Sequence, residues 1–473
     1  MENEKKRNYA LPLVTLTTLF FMWGFITSMN DILIPYLKEV FELDYFRANL
    51  VQSAFFVPYF IMSLIYFIIS ILWGDPISKI GYKNMIISGL IISAISCFLF
   101  YNEASSKEQV FEMFLLALCL LGAGFSFLQI AANPLIAILG SPKTASSRLN
   151  LSQGFNSLGT TLAPIIGGFF VFNYFAKNAS GASAVQIPYL VLASVLLLLA
   201  GIIFFSYIPN VEDETSGGLG GNKTGVLKHP HLVFGMIGIF CYVGAEVAIG
   251  SNLISFMEKS QGMTKEAAST FLSFYWGGAM IGRFMGAISM SQMATMKKRL
   301  LMGVSAVLTF LFVVVAIQMS AEIRGGEQVP LDKVLYYIGF LVLNYIVFIA
   351  AKSVPSRMLG LFSVVNMVLI TIMLLTDGDI SLWMILAVGL FNSIMFSNVF
   401  TLAIDGLGKY TSQGSSLLVM MILGGAVVPP IQGVVADHIG VHAAFVVPLF
   451  CYAYLVWYGF VGSRMRKPLT EKN

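Results

Sequence analysis

Long uninterrupted apolar runs recur along the whole chain, and they limit its fold more than any other feature. A helix needs about 20 mostly apolar residues to cross a bilayer. Fourteen such segments can be placed, at about 10–36, 46–74, 83–101, 109–139, 148–173, 186–208, 231–257, 264–291, 298–319, 334–351, 356–376, 381–405, 412–437 and 443–462. The run 334–351 is short, so a re-entrant hairpin with its neighbour stays open as an alternative. Composition points the same way. The chain is 57% apolar and 11% charged, whereas a soluble domain carries about 25% charged residues. So few charges cannot make a water-facing surface, and lipid must be the main solvent. In lipid every backbone polar group has to be satisfied within helices or a closed barrel. Barrel strands are short and alternating, so these continuous runs predict an all-α, polytopic membrane protein.

Charge placement orients the helices. With the N-terminus inside and the segments alternating, nineteen lysines and arginines fall inside and eight outside, with Arg283 within a span. That split obeys the positive-inside rule and puts both termini in the cytoplasm. Lys5, Lys6 and Arg7 precede the first run as they would in a signal peptide, but the run to Tyr36 is too long for one. It reads as a retained first helix. A stretch at 209–230, with Glu212, Asp213, Glu214 and a Gly-rich run, reads as a flexible linker. It divides the chain into an N-terminal bundle of six helices, 1–208, and a C-terminal part of eight, 231–473.

The two halves repeat weakly. Asn133 and Asn398, Gly159 and Gly424, Pro164 and Pro429, and Gly168 and Gly433 are each separated by 265 residues. Gly24 with Phe55 answers Gly244 with Tyr275 at the shorter offset of 220. The difference of 45 is assigned to an additional helix pair at about 334–376. Parallel repeats of this kind are one plan of secondary transporters.

Polar residues inside spans mark function, because each is costly there. Asp31 lies in the first span and reads as a protonatable or sodium-binding carboxylate, or as a residue snorkelling to the outer end. Glu246 sits nearer the middle of its span and serves either solute or cation, unless it is a buried, protonated acid. Gln129 and Asn133 are four apart, and Gln153, Asn156 and Thr160 are spaced by three and four, so each set shares a helix face. Amides both donate and accept hydrogen bonds, which suits sugar hydroxyls. Asn252, Asn392 and Asn398 recur in the second half, and Trp23 and Trp276 offer faces for a pyranose ring. Each of these alone is more often interhelical glue or packing. No Gly-Lys-Ser/Thr phosphate loop, His/Cys cluster or hydrolase pattern occurs. ATP-driven transport, a metal or redox centre and enzymatic activity are therefore not expected. Neither is nucleic-acid binding. The four cysteines (Cys97, Cys119, Cys241, Cys451) fall in apolar runs and read as packing residues.

The residues resemble the fucose–galactose–glucose–cation symporters of the major facilitator superfamily, and within them the bacterial glucose/galactose transporters. The similarity is carried by Asn30-Asp31-Ile32-Leu33-Ile34-Pro35, Gln129-Ile130-Ala131-Ala132-Asn133-Pro134, Ser152-Gln153-Gly154-Phe155-Asn156, Val243-Gly244-Ala245-Glu246, Tyr275-Trp276-Gly277-Gly278 through Gly282-Arg283, and Phe391-Asn392. Asp75 followed by Ile80-Gly81-Tyr82-Lys83 resembles the superfamily's cytoplasmic loop signature. The resemblance implies two pseudo-symmetric six-helix bundles working by alternating access. It implies import of a glucose- or galactose-like hexose, a co-transported cation, no other cofactor, and a monomer in the cytoplasmic membrane. Asp31 matches the first-helix acid of the fucose–proton symporter, while Gln129 stands where that relative has a second acid. Sodium is therefore expected over protons. The expected roles are cation coupling for Asp31 and Glu246. Sugar binding falls to Asn30, Gln129, Asn133, Gln153, Asn156, Asn252, Trp276 and Asn392. Cytoplasmic gating falls to Asp75, Lys83 and Arg283. Rival readings are an exporter of drugs or metabolites with the same fold and a non-transporting sugar sensor.

Overall fold

A computed structural model of the chain describes residues 10–73, 76–139, 145–175, 177, 181–206, 225–291, 293–323, 331–407 and 411–465. The described residues are almost entirely helical. The first half comprises α1 (Ala10–Val40), α2 (Tyr45–Trp73), α3 (Tyr82–Ala104), α4 (Phe111–Ile138), α5 (Ala145–Gly168) and α6 (Gln186–Phe205). The second half comprises α7 (Pro230–Gln261), α8 (Lys265–Ser289), α9 (Thr295–Ile323), α10 (Leu331–Ala351), α11 (Pro355–Leu375), α12 (Gly378–Asn392), α13 (Met395–Ile404), α14 (Thr411–Met420), α15 (Gly424–Ile439) and α16 (Val446–Phe460). Helices α12 and α13 form one span broken at Ser393, and α14 and α15 form one span joined by a 3-10 turn, Met421–Leu423. All fourteen expected segments are helices, and α10 is a full helix rather than half of a re-entrant hairpin. Residues 209–224 of the expected linker lie outside the described residues.

Thirteen of the described spans are long and apolar enough to cross a bilayer. The fourteenth, α8, is less apolar for a physical reason. Every residue from Leu272 to Arg283 is buried, so this helix is dissolved in protein rather than in lipid and can carry glycines and an arginine.

The halves pack by the same plan. In the first, α1 lies along α5, α2 along α4, and α3 along both α4 and α6. In the second, α7 lies along α15, α8 along α12, and α11 along both α12 and α16. This pairing corrects the expected position of the inserted helix pair. Helix α11 fills the place of α3, so the insertion is α9 with α10, residues 295–351, and not 334–376. Lipid exposure agrees, since 28% of the best window of α9 is buried against 50% in α11. Hydropathy could not separate them, because consecutive apolar helices look alike until their partners are known.

Glycines set the repeated crossings. A Cβ on Gly122 would lie 2.0 Å from the Phe55 carbonyl oxygen, and one on Gly389 would lie 1.9 Å from that of Tyr275. The α1/α5 crossing at Gly159 (2.1 Å from Phe21 O) is matched by α7/α15 at Gly424 (1.9 Å from Phe240 O). Small residues let membrane helices approach this closely, where no water is available to drive association. The repeat pair Gly159 and Gly424 is thus a true structural pair, whereas Gly122 and Gly389 escaped notice because their offset differs from 265.

The helix ends sort by charge. Lys79, Lys83, Lys228, Lys297, Lys298, Arg299, Lys352, Arg357 and Arg464 gather at one end, here termed the basic end. At the far end the halves are joined. Asp437 of α15 accepts the amides of Tyr45 and Phe46 (3.0 and 3.1 Å) at the start of α2, and Lys265 pairs with Glu39.

The crossings give a stability test. Gly122→Ala and Gly389→Ala should each lower the melting temperature of the detergent-purified protein, by the equivalent of about 1–3 kcal/mol, the usual cost of overpacking. Gly201→Ala and Gly339→Ala, where an added Cβ meets nothing within 4 Å, should not. Indistinguishable melting of all four variants would contradict the packing described.

Candidate functional site

Asp31 sits two thirds of the way along α1, turned inward from lipid, and is 2% exposed. Four side chains surround it. The Trp276 indole Nε1–H donates to Oδ2 at 3.1 Å, and Gln52 Nε2 donates to Oδ1 at 3.1 Å. The hydroxyls of Ser28 and Ser251 complete the set at 3.4 and 3.5 Å. Gln52 Nε2 also donates to Ser251 Oγ at 2.9 Å. Its amide oxygen is buried without a partner. Two of these groups, Trp276 on α8 and Ser251 on α7, come from the opposite half. Asp31 forms no ion pair among the described residues, so it is a buried acid held only by neutral donors.

Glu246, in the middle of α7, is placed differently. Its Oε1 lies 3.3 Å from Nη2 of Arg283 on α8. Arg283 also donates through Nη1 to Ser157 Oγ of α5 in the other half, and through Nε to the Ser393 carbonyl at 3.2 Å. That carbonyl is available because the α12/α13 span is broken there. The guanidinium thus satisfies one charge and two oxygens, which suits its planar fork of donors. Arg283, expected within a span and assigned to the cytoplasmic gate, lies inside the bundle, where Glu246 offers it a counter-charge. Glu246, being neutralised by that pair, is not a vacant carboxylate of the kind Asp31 is. Of the other two gating residues, Lys83 does lie at the basic end, where Nζ donates to the Ser206 carbonyl at 3.0 Å. Asp75 lies outside the described residues.

Between the two clusters is a cavity of about 120 Å³ at the junction of the halves. Trp23, Thr27, Tyr59, Gln129, Gln153, Asn156 and Thr160 line it from the first half, and Tyr242, Glu246, Trp276 and Arg283 from the second. Trp276 and Arg283 are seven residues apart on α8, hence on one face about 10 Å apart along the axis. They bracket the cavity, one reaching toward Asp31 and the other toward Glu246. A roomier groove of about 500 Å³ between α5 and α9 is lined only by apolar side chains such as Leu162, Phe169 and Phe312. It offers no hydrogen-bonding group to a polar solute.

The predicted sugar ligands divide. Gln129, Gln153, Asn156 and Trp276 meet at the cavity. Asn133 stands behind them, its Nδ2 donating to Gln129 Oε1 at 3.2 Å. Asn392 does not line the cavity. It is 0% exposed and tied to Tyr275, Tyr452 and Asn366 at 2.8, 2.6 and 3.0 Å inside the C-terminal bundle. Asn252 does not line the cavity either. It bonds Asn49 across the halves at the far end and is 1% exposed. Asn30 is fully buried, with both amide atoms unpartnered, and does not line the cavity. Sequence reasoning missed Gln52, Ser251 and Ser28. Gln52 was detectable as an amide inside the second apolar run, but serines in membrane helices carry little signal, since most bond their own helix.

Comparison with known proteins places the molecule. Residues 14–326 match the Major Facilitator Superfamily. The glucose/galactose transporter of Brucella abortus biovar 1 (strain 9-941) is 41% identical, over 98% of this chain and 97% of that protein. The L-fucose-proton symporter of Escherichia coli (strain K12) is 28% identical, over 98% and 94%. A crystal structure of the E. coli fucose:proton symporter FucP superposes with a TM-score of 0.64 at 27% identity, covering 96% of this chain and 98% of that one. With the repeated bundles and the central cavity, these matches show that the chain belongs to the Major Facilitator Superfamily, whose members named here are transporters and not enzymes.

Proposed function

We propose that the chain imports a glucose- or galactose-like hexose by cation symport, with the basic end in the cytoplasm and the halves rocking about the central cavity. The observation that carries this reading is Asp31, a carboxylate inside the bundle with no basic partner among the described residues. A lone charge there costs several kcal/mol, so Asp31 must take up a cation or a proton whenever the far end is closed. That requirement makes closure conditional on the driving ion, which is what symport needs.

The cavity supports a sugar. Gln129, Gln153 and Asn156 supply paired donors and acceptors, and Trp23, Tyr59 and Trp276 supply faces for the apolar side of a pyranose. The names of the relatives, glucose/galactose transporter and L-fucose-proton symporter, support the hexose class. For the ion we assign sodium. Ser28 and Ser251 supply hydroxyl oxygens beside Asp31, and Gln52, held there by its Nε2, carries a further amide oxygen with no partner. Oxygen is the ligand type that small hard cations take. The proton-coupled relatives are the opposing observation. The aromatic lining also favours the exporter reading, but a polyspecific pocket has little use for three amides.

Uptake of labelled glucose and galactose into proteoliposomes tests this directly. An imposed inward sodium gradient at equal pH should drive accumulation, and drive by a pH gradient alone would replace sodium with protons. Asp31→Asn should abolish gradient-driven accumulation while sugar exchange persists. Accumulation by that variant at the native level would end the coupling role.

The Glu246–Arg283 pair gives a separate expectation. Glu246→Gln leaves Arg283 buried and unpaired and should destabilise the protein by about 3–5 kcal/mol. The double variant with Arg283→Gln should recover most of that loss in a thermal melt. If the double variant melts as low as the single one, the two side chains are not acting as a pair.

A further inference from the structure

The indole of Trp276 touches two things at once. One part of it lines the central cavity. Its single donor, Nε1–H, reaches Asp31 Oδ2 at 3.1 Å. An indole has one hydrogen to give and nothing to accept with, so its orientation decides whether that carboxylate oxygen receives its shorter hydrogen bond or keeps only the longer one from Ser28, at 3.4 Å.

The surroundings hold the ring in that orientation. Tyr275 lies against it edge-on, with centroids 5.0 Å apart. On the other side, α7 presents Gly250. A Cβ there would come within 2.9 Å of Trp276 Cζ2 and 3.5 Å of Asp31 Oδ2. The missing side chain is what lets indole and carboxylate meet. The contact also crosses between the halves, α8 to α1. Trp276 and Ser251 belong to one half and Ser28 and Gln52 to the other, so a separation of the halves at this point would take the first pair from Asp31 and leave it the second.

We propose that Trp276 is the positioning residue that couples the solute cavity to the cation site. A solute stacked on the ring fixes the direction of Nε1–H, and that direction sets how many lone pairs of Asp31 are free for the cation. The effect is reciprocal, because a coupling free energy between two ligands acts equally on both. A cation on Asp31 redirects the indole and changes the face that the solute meets. This inference rests on the hexose–cation symport reading, and the test separates the two.

The measurement is the Kd of the full-length protein in detergent for glucose and for galactose, with sodium chloride and with choline chloride. For the native protein the ratio of the two Kd values should fall in the range of about 5–150-fold typical of coupled sites. In Trp276→Phe, which keeps an aromatic face and loses the donor, binding should weaken in both media and the ratio should collapse toward one. Gly250→Ala changes neither ligand set but pushes the ring off the carboxylate, and should collapse the ratio in the same way. A thermal melt of each variant confirms that it is folded. If Trp276→Phe fails to fold, Gly250→Ala decides. A native-like ratio in a folded variant overturns the inference, and so does complete loss of sugar binding in folded Gly250→Ala, which would make the ring only a binding surface. If the native protein itself shows a ratio of one in sodium and also across pH, the symport reading falls, whatever the variants do.

Discussion

The organising constraint in this molecule is that charge buried in a membrane bundle must be balanced. Glu246 and Arg283 meet it permanently, by pairing with each other. Asp31 meets it only through neutral donors, two of which belong to the opposite half. One acid is therefore a fixed part of the architecture. The other has no charged partner among the described residues, and it lies where the halves come together. Everything that makes the cavity useful follows from the contrast. Arg283 holds the broken α12/α13 span and α5 beside the cavity, while Trp276, two turns away on the same helix, leads to the acid that is not yet balanced.

Two kinds of contact build the structure, and they do different work. Within each half, glycines let helices cross at backbone distance, at Gly122, Gly159, Gly389 and Gly424. Such crossings cannot slide without a clash, so each half moves as a body. Between the halves, α5 packs along α8 and α2 along α15, with Gly168 against Ser269 and Gly433 against the Tyr45 backbone. At the far end this packing is joined by polar contacts, as in Asn49 with Asn252, Gln52 with Ser251, and Asp437 with the first amides of α2. Every one of these polar groups can exchange its protein partner for water.

Much of this was legible in the sequence. The helices were, because apolar length is a direct physical requirement of lipid. Asp31, Gln129, Gln153, Asn156 and Trp276 were, because polar or amphipathic groups inside spans are costly and few. What escaped was partnership. An asparagine facing a cavity and one that ties Tyr275 to Tyr452 look the same in one dimension, so the place of Asn392 away from the cavity was not legible. Arg283 was placed within a span, but its partner was not legible, since Glu246 lies 37 residues away on another helix. The inserted pair was shifted because only the packing of α11 on α12 and α16 shows which helix replaces α3.

The polar seam at the far end has a thermodynamic consequence. A hydrogen bond exchanged for one to water changes stability by only about 0.5–1.5 kcal/mol. The polar part of the seam is made of such bonds, together with one ion pair, Lys265 with Glu39. Breaking that part trades nearly equal terms, so the polar contacts alone do not make the closed far end a deep trap. On the symport reading, polar contacts of this kind give the molecule no preferred direction of its own, and a loaded compartment facing a collapsed ion gradient would be emptied by the same path that filled it.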